Sequence, residues 1–493
     1  MSDLTKPGNR PAARPARLGI RETREFLRRG NSTVTEQVES VLTAIGEDAD
    51  ELGAFVAVAG EAAVREAEAA DRLIGRLGVG AWRNRPLLGM TLSVKDLIQT
   101  EQLPTRRGSL VANRRPVTDA PAVARLRSAG AIVVGKTATS EYGWSASTVS
   151  RVAGPTRNPW AADRSAGGSS GGAAASVAAG LCTAALGTDG AGSIRIPAAF
   201  CGVVGYKPSF GQVPYVPPCA DRLAHAGPLA RSVADVTELM AVLAGPHPGD
   251  PDSARNPLAD PERFPGALRI GWLEFPGTSA EIRRVTERAL PVLAAQGHRV
   301  EPVGAPFDDP YPALVDLLAA GEAAATAPDD EDKCDRSRLG LVRYGRTVTG
   351  AALLRAEEVR LALRIRLASV MDRYDLLAMA TVPVEPFGVG AIAPPGAEAD
   401  ELQWLAWTPA TYPFNLTGQP AVSVPVGLTS AGLPVGLQLV GRLGGDGLVL
   451  SAAGRLESDL GLPLTPPVLT PPVLTPPVLT PPVLAATGKA AES

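Results

Sequence analysis

The sequence predicts an α/β fold in which helices bury both faces of a central sheet. Three observations carry this. Short apolar runs of strand length recur from Leu87 onward, and alanine-rich stretches of helical length lie between some of them. The composition is that of an ordinary globular chain, with 45% hydrophobic and 20% charged residues. Strands alternating with helices give a sheet covered on both sides. The 493 residues fit one large domain or a few smaller ones. Residues 18–460 read as the main domain, with N-terminal helices at about 18–80 and a motif-dense core at about 86–245.

Taken in order, residues 1–17 are dominated by Pro, Arg and Gly and are expected to be disordered. Thr33 and Glu36 form a capping box. Val34, Val38, Val41, Leu42 and Ile45 then recur at helical spacing. Residues 61–77, rich in Ala, Glu and Arg, read as another helix. Strands are expected at Leu87 to Val94, Ala131 to Val134, Ala267 to Trp272, Ala421 to Leu428 and Val435 to Val440. Helices are expected at Ala120 to Ala129, Gly172 to Ala179, Ser232 to Leu243, Ala280 to Ala295 and Ala356 to Met371. Pro306 to Leu339 is the least regular stretch and reads as a loop or lid. Within the tail of residues 461–493, Leu-Thr-Pro-Pro-Val recurs four times from Leu464 to Val483. Paired prolines forbid helix and favour polyproline II, so this tail reads as a solvated appendage, disordered or polyproline II.

Net charge of −3 argues against a nucleic-acid surface. Met1 to Arg17 carries no apolar signal core, and no apolar run reaches membrane-spanning length. A cytoplasmic location with no membrane partner is therefore expected. The four cysteines show no metal-ligand or disulfide spacing and read as reduced thiols. Neither a metal nor a cofactor is expected.

One motif misleads. Gly130-Ala131-Ile132-Val133-Val134-Gly135-Lys136-Thr137 matches a phosphate-binding loop literally. Such a loop must follow a strand and wrap phosphate with free amides. Here the variable positions are themselves strand-forming, so their amides belong to a sheet.

The chemistry must be run with only three histidines, His225, His247 and His298. No G-x-S-x-G elbow stands out. A buried lysine can act as a base, because burial disfavours the ammonium. Lys95 ends an apolar run and fits that role; its bland alternative is a surface pair with Asp96. Two glycine-rich loops follow, Gly167-Gly168-Ser169-Ser170-Gly171-Gly172 and Gly187-Thr188-Asp189-Gly190-Ala191-Gly192-Ser193. Consecutive free amides form an anion nest of the kind an oxyanion hole requires. The bland alternative is a pair of tight turns.

These segments, with Asn158-Pro159-Trp160, Ile194-Arg195-Ile196-Pro197-Ala198, Gly205-Tyr206-Lys207-Pro208, Gly227-Pro228-Leu229-Ala230-Arg231-Ser232 and Tyr412-Pro413-Phe414-Asn415-Leu416-Thr417-Gly418, resemble the amidase signature family over roughly residues 30 to 460. The resemblance implies a mixed, mostly buried central sheet flanked by helices on both faces. It also implies a Ser-cisSer-Lys triad. Lys95 matches the base, Ser169 the bridging serine and Ser193 the nucleophile, with the cis bond at Gly168–Ser169. Gly190, Ala191, Gly192 and Ser193 match the oxyanion-hole amides, Asp189 and Arg195 a structural support, and Tyr142 and Trp144 the substrate-pocket walls. Departures are Ala191, where glycine is usual, Ala166, where proline is usual, and Ala378 to Pro383, a region that often borders the substrate funnel.

The expected activity is hydrolysis of a small or medium linear carboxamide, aliphatic or aryl, with the small-molecule amide as partner and homodimerisation left open. A rival within the family is the glutaminase subunit of a tRNA-dependent amidotransferase. The segment Tyr412 to Pro420 looks more like stand-alone amidases. From another class comes a non-catalytic scaffold acting through the proline-rich tail.

Overall fold

The computed structural model describes residues 18–111, 118–253, 266–397, 402–462 and 466. The expectations for residues 1–17 and for the repeated tail beyond 466 lie outside them. One eleven-stranded sheet organises the molecule. From edge to edge its strands are Phe55–Val58, Ile132–Thr137, Thr91–Lys95, Ala184–Asp189, His225–Ala230, Val204–Lys207, Ala421–Leu428, Pro434–Val440, Leu376–Ala380, Arg269–Leu273 and Arg299–Val303. The sheet is mixed. Thr91–Lys95 runs parallel to both of its neighbours, whereas Ala421–Leu428 and Pro434–Val440 form an antiparallel pair.

Burial explains why the strands read as short continuous apolar runs. Every residue of Thr91–Lys95, Ile132–Thr137, Ala184–Asp189 and Pro434–Val440 is buried, so no face is left for alternating polar residues. Small residues let helices sit close to the sheet. Helix Gly171–Ala178 is buried along its whole length and packs Ala173, Ala174 and Val177 against Val134, Ala185 and Leu229.

Several expected elements hold nearly to the residue: Glu61–Leu77, Pro121–Ser128, Val233–Leu243 and Ala421–Leu428; the helix expected at Val34 runs past its apolar pattern to Leu52. Others shift. The strand expected from Leu87 begins only at Thr91, because Leu87 and Leu88 are tied into turns by bonds such as Met90 N–H to Leu87 O. The helix expected over Ala280 to Ala295 is two, Ala280–Thr286 and Ala289–Ala295. The expected loop or lid from Pro306 to Leu339 is instead mostly helical, with helix Tyr311–Ala324 and the start of Arg336–Gly345. Leu314, Leu317 and Ala319 of the first and Leu341 of the second pack into one core. Non-local packing overrides the weak local signal there. Among the described residues, no helix is long and apolar enough to cross a membrane.

The phosphate-loop lookalike is a strand, as its sequence indicates. Lys136, within that strand, is buried and donates to Ile98 O and to Thr105 Oγ1 at 2.7 Å, with Asp96 at 3.7 Å. Burial holds the Lys136 pKa down to about 8, with Asp96 pushing it back up. Asp96 therefore faces Lys136, and the surface pair of Lys95 with Asp96 does not exist.

Candidate active site

Lys95 is the last residue of its strand, and its side chain is fully buried. Its Nζ lies 2.7 Å from Ser169 Oγ and 2.9 Å from Thr188 Oγ1. Among the described residues, no carboxylate touches it. Burial pulls its pKa well below the usual lysine value, against the opposing field of Asp189. A lysine so placed loses its proton readily and can then accept one.

Ser169 stands between that strand end and a cavity. The Gly168–Ser169 peptide is cis, as the resemblance implies. Gly168 is required by contact: a Cβ there would lie 2.4 Å from the Ser147 carbonyl carbon. Thr148 Oγ1 clasps the loop, donating to Gly167 O at 2.8 Å and accepting from Gly171 N–H at 2.9 Å. Ser170 then joins the two glycine-rich loops. Its N–H donates to Ser193 O at 3.1 Å, and its hydroxyl donates to Thr188 O at 3.0 Å.

Ser193 closes the second loop just before helix Arg195–Cys201. A buried ion pair fixes this loop. Arg195 reaches Asp189 with Nε at 2.9 Å from Oδ2 and Nη2 at 2.9 Å from Oδ1. Asp189 also accepts from Gly192 N–H at 2.7 Å and Ile194 N–H at 3.2 Å. Burial alone would raise the Asp189 pKa; Arg195, Lys207 and Asn415 outweigh it and hold the carboxyl well below its ordinary range. The guanidinium is completed by Gln438 Oε1 at 2.7 Å, Asn415 Oδ1 at 2.6 Å and Thr411 O at 3.0 Å. Asp189 and Arg195 thus sit where a supporting role requires.

One expectation changes. The Gly192 amide is engaged by Asp189, so it does not face the cavity as a free donor. Among the described residues, no acceptor bonds the amides of Gly190, Ala191 or Ser193. Ala191, in place of the usual glycine, does not have positive φ. Its carbonyl accepts from Thr411 Oγ1 at 2.7 Å, which pins the same turn. Ala191→Gly is therefore expected to leave the cleavage rate unchanged and to lower stability by about 0.4–1 kcal/mol through the more flexible unfolded chain. Parallel rate and denaturation measurements check this.

Ser169, Ser193, Gly190 and Ala191 line one cavity of about 410 Å³ together with Tyr142 and Trp144. Tyr142, at φ 52°, is held under the Arg338 guanidinium, 4.5 Å from its ring centre. Trp144 packs against Trp404 at 5.9 Å, and its carbonyl accepts the Trp404 indole N–H at 2.8 Å. None of the three histidines lines the cavity; His225 is bound through Nδ1 to Leu223 O at 2.7 Å. Nor does Ala378 to Pro383 line it; the first half of that segment ends the strand Leu376–Ala380. Sequence reading missed Thr188, Asn415 and Gln438 as parts of the site. Thr188 and Asn415 stand inside motifs quoted above, but Gln438 sits unmarked in an apolar strand.

This architecture recurs in known proteins. A family model described as Amidase matches residues 36–450. A glutamyl-tRNA(Gln) amidotransferase subunit from Roseiflexus sp. (strain RS-1) is 34% identical over 462 residues, covering 86% of this chain and 93% of that protein. The structure of 6-aminohexanoate cyclic dimer hydrolase with its substrate superposes with a TM-score of 0.82 at 30% identity, over 92% of this chain and 99% of the other. A bacterial aryl acylamidase gives 0.81 at 27%, over 90% and 96%. The chain belongs to the amidase signature family and is an enzyme acting on C–N bonds.

Proposed function

We propose that this protein is a stand-alone amidase that hydrolyses a small or medium linear carboxamide to carboxylate and ammonia or amine. The observation that carries the reading is the contact of the buried, cation-disfavoured Lys95 with Ser169, in the cavity that Ser193 shares. Neutral Lys95 draws a proton through Ser169 from Ser193. Ser193 Oγ attacks the amide carbon, and the amides of Gly190, Ala191 and Ser193 hold the oxyanion. Ser169 passes a proton to the leaving nitrogen as the C–N bond breaks. Water then attacks the acyl-enzyme by the same relay in reverse.

Similarity to an amidotransferase component favours a second reading, a glutaminase working with partners. The test is ammonia or amine release from aliphatic and aryl amides and from glutamine by the purified chain. Turnover of simple amides by the chain alone supports the first reading. Release from glutamine only, or only after partner proteins are added, overturns it. The relay also sets a pH dependence. Because the base must be unprotonated, kcat/KM is expected to fall as pH drops through the Lys95 pKa, on a limb well below the ordinary lysine range near 10.5. A rate profile flat across that limb would remove Lys95 from the base role.

A further inference from the structure

The cavity holds more than apolar walls and reacting serines. Leu97, Ile98, Tyr215, Leu318 and Leu341 give it an apolar body. On the segment Pro214 to Ala224, which forms one wall, stands Asp221. Its Oδ1 accepts the Leu223 N–H at 3.0 Å. Among the described residues, nothing donates to Oδ2, and no cation lies within ion-pair distance of either oxygen.

The wall that carries this carboxylate is firmly held. Arg360 donates from Nη1 to Asp221 O at 2.9 Å and from Nη2 to Arg222 O at 2.8 Å, gripping the main chain and leaving the carboxylate alone. Across from it, the backbone of Gly321 comes close enough that a Cβ there would lie 3.4 Å from Asp221 Oδ2. The neighbouring Glu322 also lines the cavity, but it is matched by Arg338. Glu141 shares that same guanidinium, which leaves the surroundings of Arg338 rich in negative charge. Arg107, which does line the cavity, sits over the Tyr142 ring at 5.9 Å. Burial raises the Asp221 pKa, opposed by the Leu223 amide and by Arg360. A carboxylate in that position gains most from a cation brought in by the ligand.

We propose that Asp221 is a specificity-determining residue that receives a primary ammonium, so that the preferred amides carry an apolar chain ending in a protonated amine. This rests on the amidase reading above and narrows its substrate class. A hydrophobic pocket alone discriminates weakly, whereas a polar group left unpaired in the absence of its partner discriminates more strongly. The ammonium would donate to Oδ2 while its methylenes lie against the leucine and isoleucine side chains.

The test uses a homologous series from 3-aminopropanamide to 7-aminoheptanamide. Each is compared with the alkanamide that has a methyl group in place of the ammonium. For the member whose length matches the cavity, wild-type kcat/KM is expected to exceed that of its methyl counterpart by about tenfold, in the range of one charge-assisted hydrogen bond. Asp221→Asn should erase that preference and leave alkanamide turnover unchanged within about twofold. Affinities of the series for Ser193→Ala, measured by calorimetry, should show the same preference without turnover. Alkanamide hydrolysis with no preference for any amine overturns the ammonium site alone, as does a preference that survives Asp221→Asn. Failure to hydrolyse any amide overturns the amidase reading, and the calorimetric series then decides the ammonium site by itself.

Discussion

Ser193→Ala is expected to abolish amide hydrolysis while leaving the fold intact, and Lys95→Met to lower kcat/KM by about 10²- to 10⁴-fold, the usual contribution of a general base. The two variants fail differently. Without the Ser193 hydroxyl no acyl-enzyme forms, so pre-steady-state mixing should show no burst of leaving group. Substrate still enters, because the cavity walls are unchanged. Lys95→Met keeps the nucleophile and removes the proton acceptor bonded to Ser169 at 2.7 Å. Methionine occupies similar volume without a buried polar group, so stability should change little. The residual rate of Lys95→Met should also lose the limb that titrates in the wild type. Turnover unchanged in either variant would overturn the triad.

Asp189→Ala is expected to destabilise the protein by about 3–5 kcal/mol, the range for stranding one partner of a buried ion pair. The guanidinium of Arg195 is fully buried and would lose both of its bonds to the carboxylate. The amides of Gly192 and Ile194 would lose their acceptor at the same time. Activity should fall with stability, since those amides set the turn that presents Ser193. Urea denaturation of Asp189→Ala, of Arg195→Met and of the double variant separates the contributions. The double variant should lose clearly less than the sum of the singles, because it no longer strands a charge. Simple additivity would mean that the pair does not act as a unit.

Much of this site was legible in the sequence because its parts lie in short local motifs. Glycines and apolar neighbours around Lys95, Ser169 and Ser193 mark special backbone, while the separate roles expected of the three came from the resemblance. The strand reading of Gly130 to Thr137 likewise followed from local composition. Less legible was whatever depends on distant partners. The helix Tyr311–Ala324 opens on prolines and is followed by an acidic stretch, and only its packing against Leu341 and the rest of that core makes it regular. The engagement of the Gly192 amide could not be read from the loop. Spacing alone offers four similar amides, and the Asp189 carboxylate that takes one of them is aimed by Arg195, Asn415 and Gln438 in three dimensions. Tyr142 and Trp144 were placed by resemblance. Their lining of the cavity depends on Arg338 and Trp404, which lie far along the chain.

The bonds that complete Arg195 have a bearing on when the enzyme becomes active during its own synthesis. Its guanidinium is satisfied by residues 216, 220 and 243 positions further along the chain. Lys95, Ser169 and Ser193 leave the ribosome long before Thr411, Asn415 and Gln438 do. A nascent chain arrested near residue 400 therefore carries lysine and both serines but not the clamp that shapes the nucleophile turn. Hydrolytic competence is expected late in translation, once the strand Pro434–Val440 has been made. Unfinished or prematurely terminated chains are thus expected to lack the clamp and, with it, the activity proposed above.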